Sequence, residues 1–282
     1  MIYLDYQATT PLAPEVVAAM EPWLKDKFWN PHSAHAGGRQ AAAAVEVARE
    51  QVAALLPAGG RVIFTSGATE AINLAIKGCG RKAGATLFEH AAVLDCIEHQ
   101  GGDVPANRPG GLFPQQIVAD SSVAPKTESF LVAAMFVNNE IGTISPIAQM
   151  AQGFHDKGLL FLSDCVQAYG RIPIPDGPDL IAISAHKIHG PKGIGALWVR
   201  DGIELHPHML GGGQEQGLRS GTLSPALCAG FGAAAVLAAE RMEADAAHVQ
   251  TLWNRAIELF ADWTINGSTE NRYKGNLNIR RD

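Results

Sequence analysis

Lys187 stands just beyond an apolar run, Leu180–Ser184, in the segment ISAHKIHGPKGIGALWV (183–199). A lysine there has a plain reading, a snorkelling surface chain, and a chemical one, an amine held for covalent work on a carbonyl. Other apolar runs end in polar residues too. RVIFT is followed by Ser66-Gly67-Ala68-Thr69 and then by helical sequence, a turn that aims backbone N–H groups at an anion. It is no Walker loop, because no Gly-Lys-Ser/Thr follows. ATLFEH ends in His90, FLVAAMFVNNE in Asn138-Asn139-Glu140, and LLFLSD in Asp164, with Gln167 three residues on. Singly, Asp164 reads as a helix N-cap, His90 as a hydrogen-bonded structural residue and the asparagines as a turn. As a set along one sheet edge they supply an anion cup, an imidazole, amides, a carboxylate and an amine. Pyridoxal 5′-phosphate needs that set: a helix N-terminus for its phosphate, a lysine for its aldehyde, an aspartate for its ring nitrogen and a flat partner for its face.

The elements that must position these residues alternate. Strands are expected at 61–66, 85–90, 130–140, 159–164, 180–184 and 195–199, with helices at 68–78 and 91–100 between them. Continuous apolar runs of this length, separated by helices, predict an α/β fold with a mostly parallel sheet covered on both faces, and ligands at the carboxyl ends of its strands. An alanine-rich amphipathic helix is expected over 37–56, and a long one over 224–263. Gly230 and Gly232 are expected to bend the long helix, and a domain hinge is placed near 240–250. The segment 104–116 is the loop richest in Pro and Gly, and NLNIRRD (276–282) reads as the start of a strand.

With 282 residues and a net charge of −6, the chain lacks the basic footprint of a nucleic-acid binder. No apolar run reaches the ~20 residues that cross a bilayer, and the first residues do not read as a signal peptide, so a cytoplasmic location is expected. Cys79, Cys96, Cys165 and Cys228 are read as reduced thiols. The histidine pairs 32/35, 186/189 and 206/208 need convergence and carboxylate partners to make a metal site, and no catalytic metal is assigned.

The segments YLDYQATTPLAPEV, NPHSAHAGGR, SGATEAINLAIKG, VNNEIGT, SDCVQAYGRIPI, SAHKIHGPKGIGAL and GGGQEQGLRSGTL, in this order, resemble the cysteine desulfurases of the class V aminotransferase family. The resemblance implies the fold type I of pyridoxal-phosphate enzymes: a mostly parallel seven-stranded sheet between helices, with an incomplete small α+β domain. Residues 12–245 would form the large domain, and 1–11 with 246–282 part of the small one. It implies conversion of L-cysteine to L-alanine, with sulfur carried as a persulfide toward an iron–sulfur scaffold protein. Lys187 would bind the cofactor and serve as base, Asp164 would hold the ring nitrogen and Gln167 the ring hydroxyl. His90 would stack on the ring and shuttle protons. Ala68, Thr69, Ser184 and His186 would hold the phosphate, with Thr222 reaching it from the other subunit of a homodimer, and Asn139 would meet the substrate carboxylate. The family carries its acceptor cysteine and carboxylate-binding arginine beyond the segment matching NLNIRRD, so the sequence is expected to be cut short. Two alternatives stay open: a different pyridoxal-phosphate lyase or aminotransferase, such as a selenocysteine lyase, and a non-catalytic cofactor-binding paralogue. Cys165, beside Asp164, is expected to point into the core.

Overall fold

The computed structural model describes residues 2–86, 88–104 and 130–281. Six strands form one sheet in the order β1-β6-β5-β4-β3-β2: β1 (Gly60–Thr65), β2 (Lys82–Ala85), β3 (Phe130–Met135), β4 (Leu160–Asp164), β5 (Leu180–Ser184) and β6 (Gly195–Arg200). Neighbours from β2 to β5 pair in parallel, while β6 runs antiparallel to both β5 and β1. The carboxyl ends of every strand but β6 therefore share one edge.

Successive side chains on a strand point to opposite faces, so continuous apolar runs give the sheet two apolar faces. Val62, Phe64, Ile181, Ile183, Ala196 and Trp198 face one core. Ile63, Leu180, Ala182, Leu197 and Val199 face the other. The first core is roofed by α1 (Pro14–Lys25), α2 (Ala36–Ala53), α5 (Ile147–His155) and the start of α6 (Pro225–Leu259), the second by α3 (Ala68–Gly78) and α4 (Ala91–His99). In α2 the buried stripe Ala41, Val45, Ala48 and Val52 keeps helical spacing, and the His35 ring caps its start by accepting from Gly38 N at 3.1 Å. That bond gives one of the paired histidines a structural task.

Several expectations change. The sheet has six strands rather than seven among the described residues. β2 is Lys82–Ala85, upstream of the predicted 85–90, because the ladder to β3 ends at Ala85↔Ala133. Beyond it Glu89 turns inward and accepts from Met135 N, and His90 becomes the N-cap of α4. β3 stops at Met135, and Val137–Ile144 closes as a turn with a bridge between its ends. The long helix is one unbroken span of 35 residues through Gly230, Gly232 and the proposed hinge. Its glycines serve close packing instead: a Cβ at Gly232 would come 2.3 Å from Gln51 Oε1 and 2.9 Å from Ala48 Cα, so α2 and α6 can touch only where that side chain is absent. Apart from Val104, the loop assigned to 104–116 lies outside the described residues. No helix among the described residues is long and apolar enough to cross a membrane.

Ile279–Arg280 (β8) does form a strand, paired antiparallel with Thr264–Ile265 (β7). This ribbon and the residues between its strands grip the 138–144 turn. Tyr273 N donates to Gly142 O, Ile144 N to Asn271 O, and the Asn276 and Asn278 amides to Asn139 O and Glu140 O.

Candidate active site

At the common carboxyl edge lies a cavity of about 890 Å³. Its wall includes Ala68, Thr69, His90, Asn139, Asp164, Gln167, Ser184, His186 and Lys187, so every sequence-predicted site residue but Thr222 meets there. Thr222 is exposed and does not line this cavity.

β1 delivers the Ser66–Thr69 turn. Gly67 has no side chain to cap α3, so the first-turn N–H groups of that helix have no side-chain cap at the cavity wall. The turn is held tightly. Thr65 Oγ1 donates to Gly67 O at 2.9 Å, and Ser66 N donates to Glu70, which Arg219 grips through two nitrogens at 2.7 and 3.2 Å. Gly195, opening β6, admits the turn: a Cβ there would stand 2.6 Å from Ile183 O and 2.7 Å from the Gly67 carbonyl carbon.

β4 delivers Asp164 in register with Met135 and Ala182. It is 5% exposed, and its Oδ1 accepts from Val166 N at 3.0 Å. Burial pushes its carboxyl pKa up, against the pull of that N–H, His90 and Lys187. Among the described residues no cationic side chain forms an ion pair with it. A buried carboxylate on a cavity wall without a cation is a site prepared for one.

β5 runs into the 3-10 turn Ala185–Lys187. Thr10 fastens this turn by donating N–H and hydroxyl to His186 O at 3.0 and 2.9 Å. His186 Nδ1 lies 3.1 Å from Thr9 Oγ1. Burial, then Lys187, Lys192 and Arg171, lower its pKa to about 4, so it is a neutral ring with one N–H donor near pH 7. Lys187 is half-buried and donates to the carbonyls of Gln7 at 2.6 Å and Ala8 at 2.9 Å. Burial first and the Arg171 charge second depress its pKa, while Asp164 and Asp5 oppose them.

Gln167, 3% exposed, donates Nε2 to Gln7 O at 2.9 Å. Asn138 shapes the turn that presents Asn139: its Oδ1 accepts from Glu140 N and Ile141 N, both at 2.9 Å. Three residues near the site escaped the sequence reading: Gln7, Arg171 and Glu89. Glu89 is buried behind the wall, with Oε1 taking Thr86 Oγ1 at 2.5 Å and Met135 N at 2.8 Å and Oε2 unpartnered. Burial chiefly, with Asp164, raises its pKa to about 7. A glutamate inside the apolar run ATLFEH was the available signal. Of the cysteines, Cys165 is fully buried with Sγ against Ser163 Oγ, and burial raises its pKa; it points into the core as expected. None of the four lines the cavity.

The mostly parallel α/β fold thus brings a lysine, a buried aspartate and an uncapped helix start around one cavity. The family model for class-V aminotransferases matches residues 2–279, and the chain belongs to that family. It is 42% identical to the cysteine desulfurase IscS of Rickettsia bellii (strain OSU 85-389), over 99% of this chain and 73% of that protein. A solved NifS-like protein from Rickettsia africae ESF-5 superposes with a TM-score of 0.85 at 30% identity, covering 97% of this chain and 79% of that one. SspA, solved in complex with cysteine, gives 0.85 at 33% identity, covering 100% of this chain and 84% of that one. Enzymes of this family depend on pyridoxal 5′-phosphate. The residues present fit that group: uncapped N–H donors for a phosphate, an unpaired buried carboxylate for a ring cation, and an amine of lowered pKa between them.

Proposed function

We propose that the protein is a pyridoxal-phosphate-dependent cysteine desulfurase, converting L-cysteine to L-alanine and passing sulfur to a thiol as a persulfide for iron–sulfur cluster assembly. The observation that carries this reading is the meeting of Lys187, Asp164 and the α3 N-terminus on one cavity, in a chain 42% identical to a cysteine desulfurase.

When bound, pyridoxal 5′-phosphate supplies an aldehyde that condenses with amines and a ring that draws electrons from the substrate. Lys187 is the amine that would hold it and would take the proton from the substrate Cα. The lowered pKa of Lys187 leaves more of it as free base near neutrality. Asp164 would hold the ring nitrogen protonated, and Gln167 would donate to the ring oxygen. His90, exposed at the wall, would cover the ring face and relay protons. Ala68 and Thr69, with Ser184 and neutral His186, hold the phosphate, joined by Thr222 from the second subunit of a homodimer. Asn139 receives the substrate carboxylate.

For the sulfur step, an attacking thiolate forms an S–S bond with the substrate sulfur as the C–S bond breaks. The released pair passes to Cβ, which takes up a proton, and the proton taken by Lys187 returns to Cα to leave alanine. Because no cysteine lines the cavity, that thiol comes from outside the four described here. Residues 12–245 form the cofactor-binding part and 1–11 with 246–282 the smaller part, and the protein works in the cytoplasm with an iron–sulfur scaffold as sulfur acceptor.

The test is to incubate the protein with pyridoxal 5′-phosphate, L-cysteine and dithiothreitol as acceptor. Equal amounts of alanine and sulfide support the reading. Pyruvate and ammonia in place of alanine make the protein a lyase, a keto acid without sulfide makes it an aminotransferase, and absence of any product makes it a binding paralogue.

A further inference from the structure

Arg171 is partly buried and positively charged, yet all its hydrogen-bond partners are neutral. Nη1 donates to Gln7 Oε1 at 2.9 Å and to Gln167 Oε1 at 2.8 Å. Nη2 donates to Lys187 O at 2.9 Å and to Tyr6 O at 3.3 Å, and the guanidinium lies 5.7 Å from the Tyr273 ring centroid. No carboxylate among the described residues pairs with it, and burial lowers its pKa. Buried charges are ordinarily matched, because an unmatched one keeps most of its desolvation cost. A cation left unmatched at this place acts on what surrounds it.

We infer that Arg171 is a positioning residue of the site: it locks Gln7, Gln167 and the Lys187 main chain into one unit and supplies an uncancelled positive charge behind the lysine.

An arginine has donors only, so the oxygen of each amide it touches must face it. That fixes both amides. Gln167 is left with its NH2 group turned away from Arg171, as a donor for an oxygen anion, and the opposite amide orientation would set N–H against N–H. The Gln7 NH2 goes to Gly275 O at 3.1 Å, which ties the unit to the C-terminal segment. The same Gln7 places its main-chain carbonyl where Lys187 Nζ and Gln167 Nε2 both donate. The groups that face the Lys187 amine are Asp164 from β4, Asp5 from the N-terminal segment and His186 beside it, with Arg171 opposing the two carboxylates. A positive charge here also favours the anionic oxygens of an incoming cofactor.

This inference rests on Lys187 as the cofactor lysine, and the experiment keeps the two apart. Borohydride reduction of the wild-type protein with pyridoxal 5′-phosphate, followed by peptide mass spectrometry, reports first whether the adduct sits on Lys187. If it sits elsewhere, the parent reading fails and the inference with it. With the adduct on Lys187, two quantities are compared between wild type and Arg171→Met. One is the pH midpoint for acetylation of Lys187 in the cofactor-free protein, read by mass spectrometry. The other is the dissociation constant for pyridoxal 5′-phosphate, read by absorbance. The expected result is a midpoint moved to higher pH and binding weakened about tenfold, the scale of a lost charge-assisted hydrogen bond. Wild-type values for either quantity overturn the assignment. Should Arg171→Met fail to fold, Arg171→Lys decides. It keeps the charge and loses the fork, so the midpoint stays at the wild-type value while binding weakens. A raised midpoint or unaltered binding in that variant overturns the assignment.

Discussion

Two partly buried arginines, Arg49 and Arg171, have different surroundings. Arg49 on α2 makes two bonds of 2.7 Å to Glu215, whose carboxylate also accepts from Phe64 N, and is held from below by Glu46. Hydrogen bonds and charge from these carboxylates raise its pKa against the pull of burial. The pair pins the glycine-rich 211–221 loop, whose Glu215 and Gln216 both carry positive φ, to the end of β1. Arg171 meets only amides, carbonyls and a ring, and burial lowers its pKa. A matched charge is a fastener whose field cancels within a few ångströms. An unmatched one remains visible to its neighbours, and here the neighbour is Lys187. The molecule thus uses one residue type for a structural lock and for electrostatic setting of a reactive amine.

The largest effect that bears on this contrast comes from Lys187→Ala, which removes the group on which Arg171 acts. The borohydride-fixed adduct disappears, and turnover of L-cysteine falls by about 10³-fold or more. In that background Arg171→Met adds little, because both changes disable one unit; independent losses in the double variant would break the account.

Next is Glu215→Ala, which strips Arg49 of its buried partner, leaves it only the exposed Glu46, and costs about 3–5 kcal/mol in denaturant unfolding. Arg171→Met removes a cation that had only neutral acceptors, and its cost is about 1–3 kcal/mol. A reversed order in the two unfolding curves would show that Arg171 is the fastener.

A pH-dependent effect separates the buried carboxyls. Glu89 has its pKa raised to about 7, so it binds a proton more tightly folded than unfolded. Its contribution to stability is complete below the ordinary glutamate pKa and is lost as pH rises through about 7. Glu89→Gln keeps an oxygen for Met135 N and removes the titration. The variant therefore gains stability relative to wild type between pH 5 and pH 8, by roughly 2–4 kcal/mol. Parallel unfolding curves at the two pH values would place the titration elsewhere.

The smallest stability change belongs to Thr222→Ala, within about 0.5 kcal/mol at an exposed position. Its cofactor affinity falls nonetheless if the residue serves a second subunit. Unchanged affinity would confine the site to groups of one chain.

The strand ends were legible because their chemistry is local. A run of buried apolar residues stops at Asp164 or Ser184, and a polar residue stands where the sheet opens. β3 and β5 announced themselves by continuous burial. β2 did not: KAGA offers small side chains, and the more apolar TLF beyond it drew the prediction downstream. Gly230 and Gly232 suggested a bend because glycine weakens a helix, but the contacts that need them lie on α1 and α2, far away in sequence. Arg171 was hidden for the same reason. Its i, i+4 relation to Gln167 is visible in QAYGR, but its meaning depends on residues 6 and 7 folding across to it. Sequence spacing reveals which groups leave a strand together; it is silent on which distant segment closes over them.

β6, the lone reversed strand, brings Gly195 beside Thr65, about 130 residues away in sequence. The anion cup and the lysine turn therefore cannot assemble until β2 to β5 are laid down and β6 has returned to β1. That pairing is a non-local contact, of the kind that slows folding. Cofactor capture during refolding is therefore expected to report completion of the sheet rather than collapse of the core.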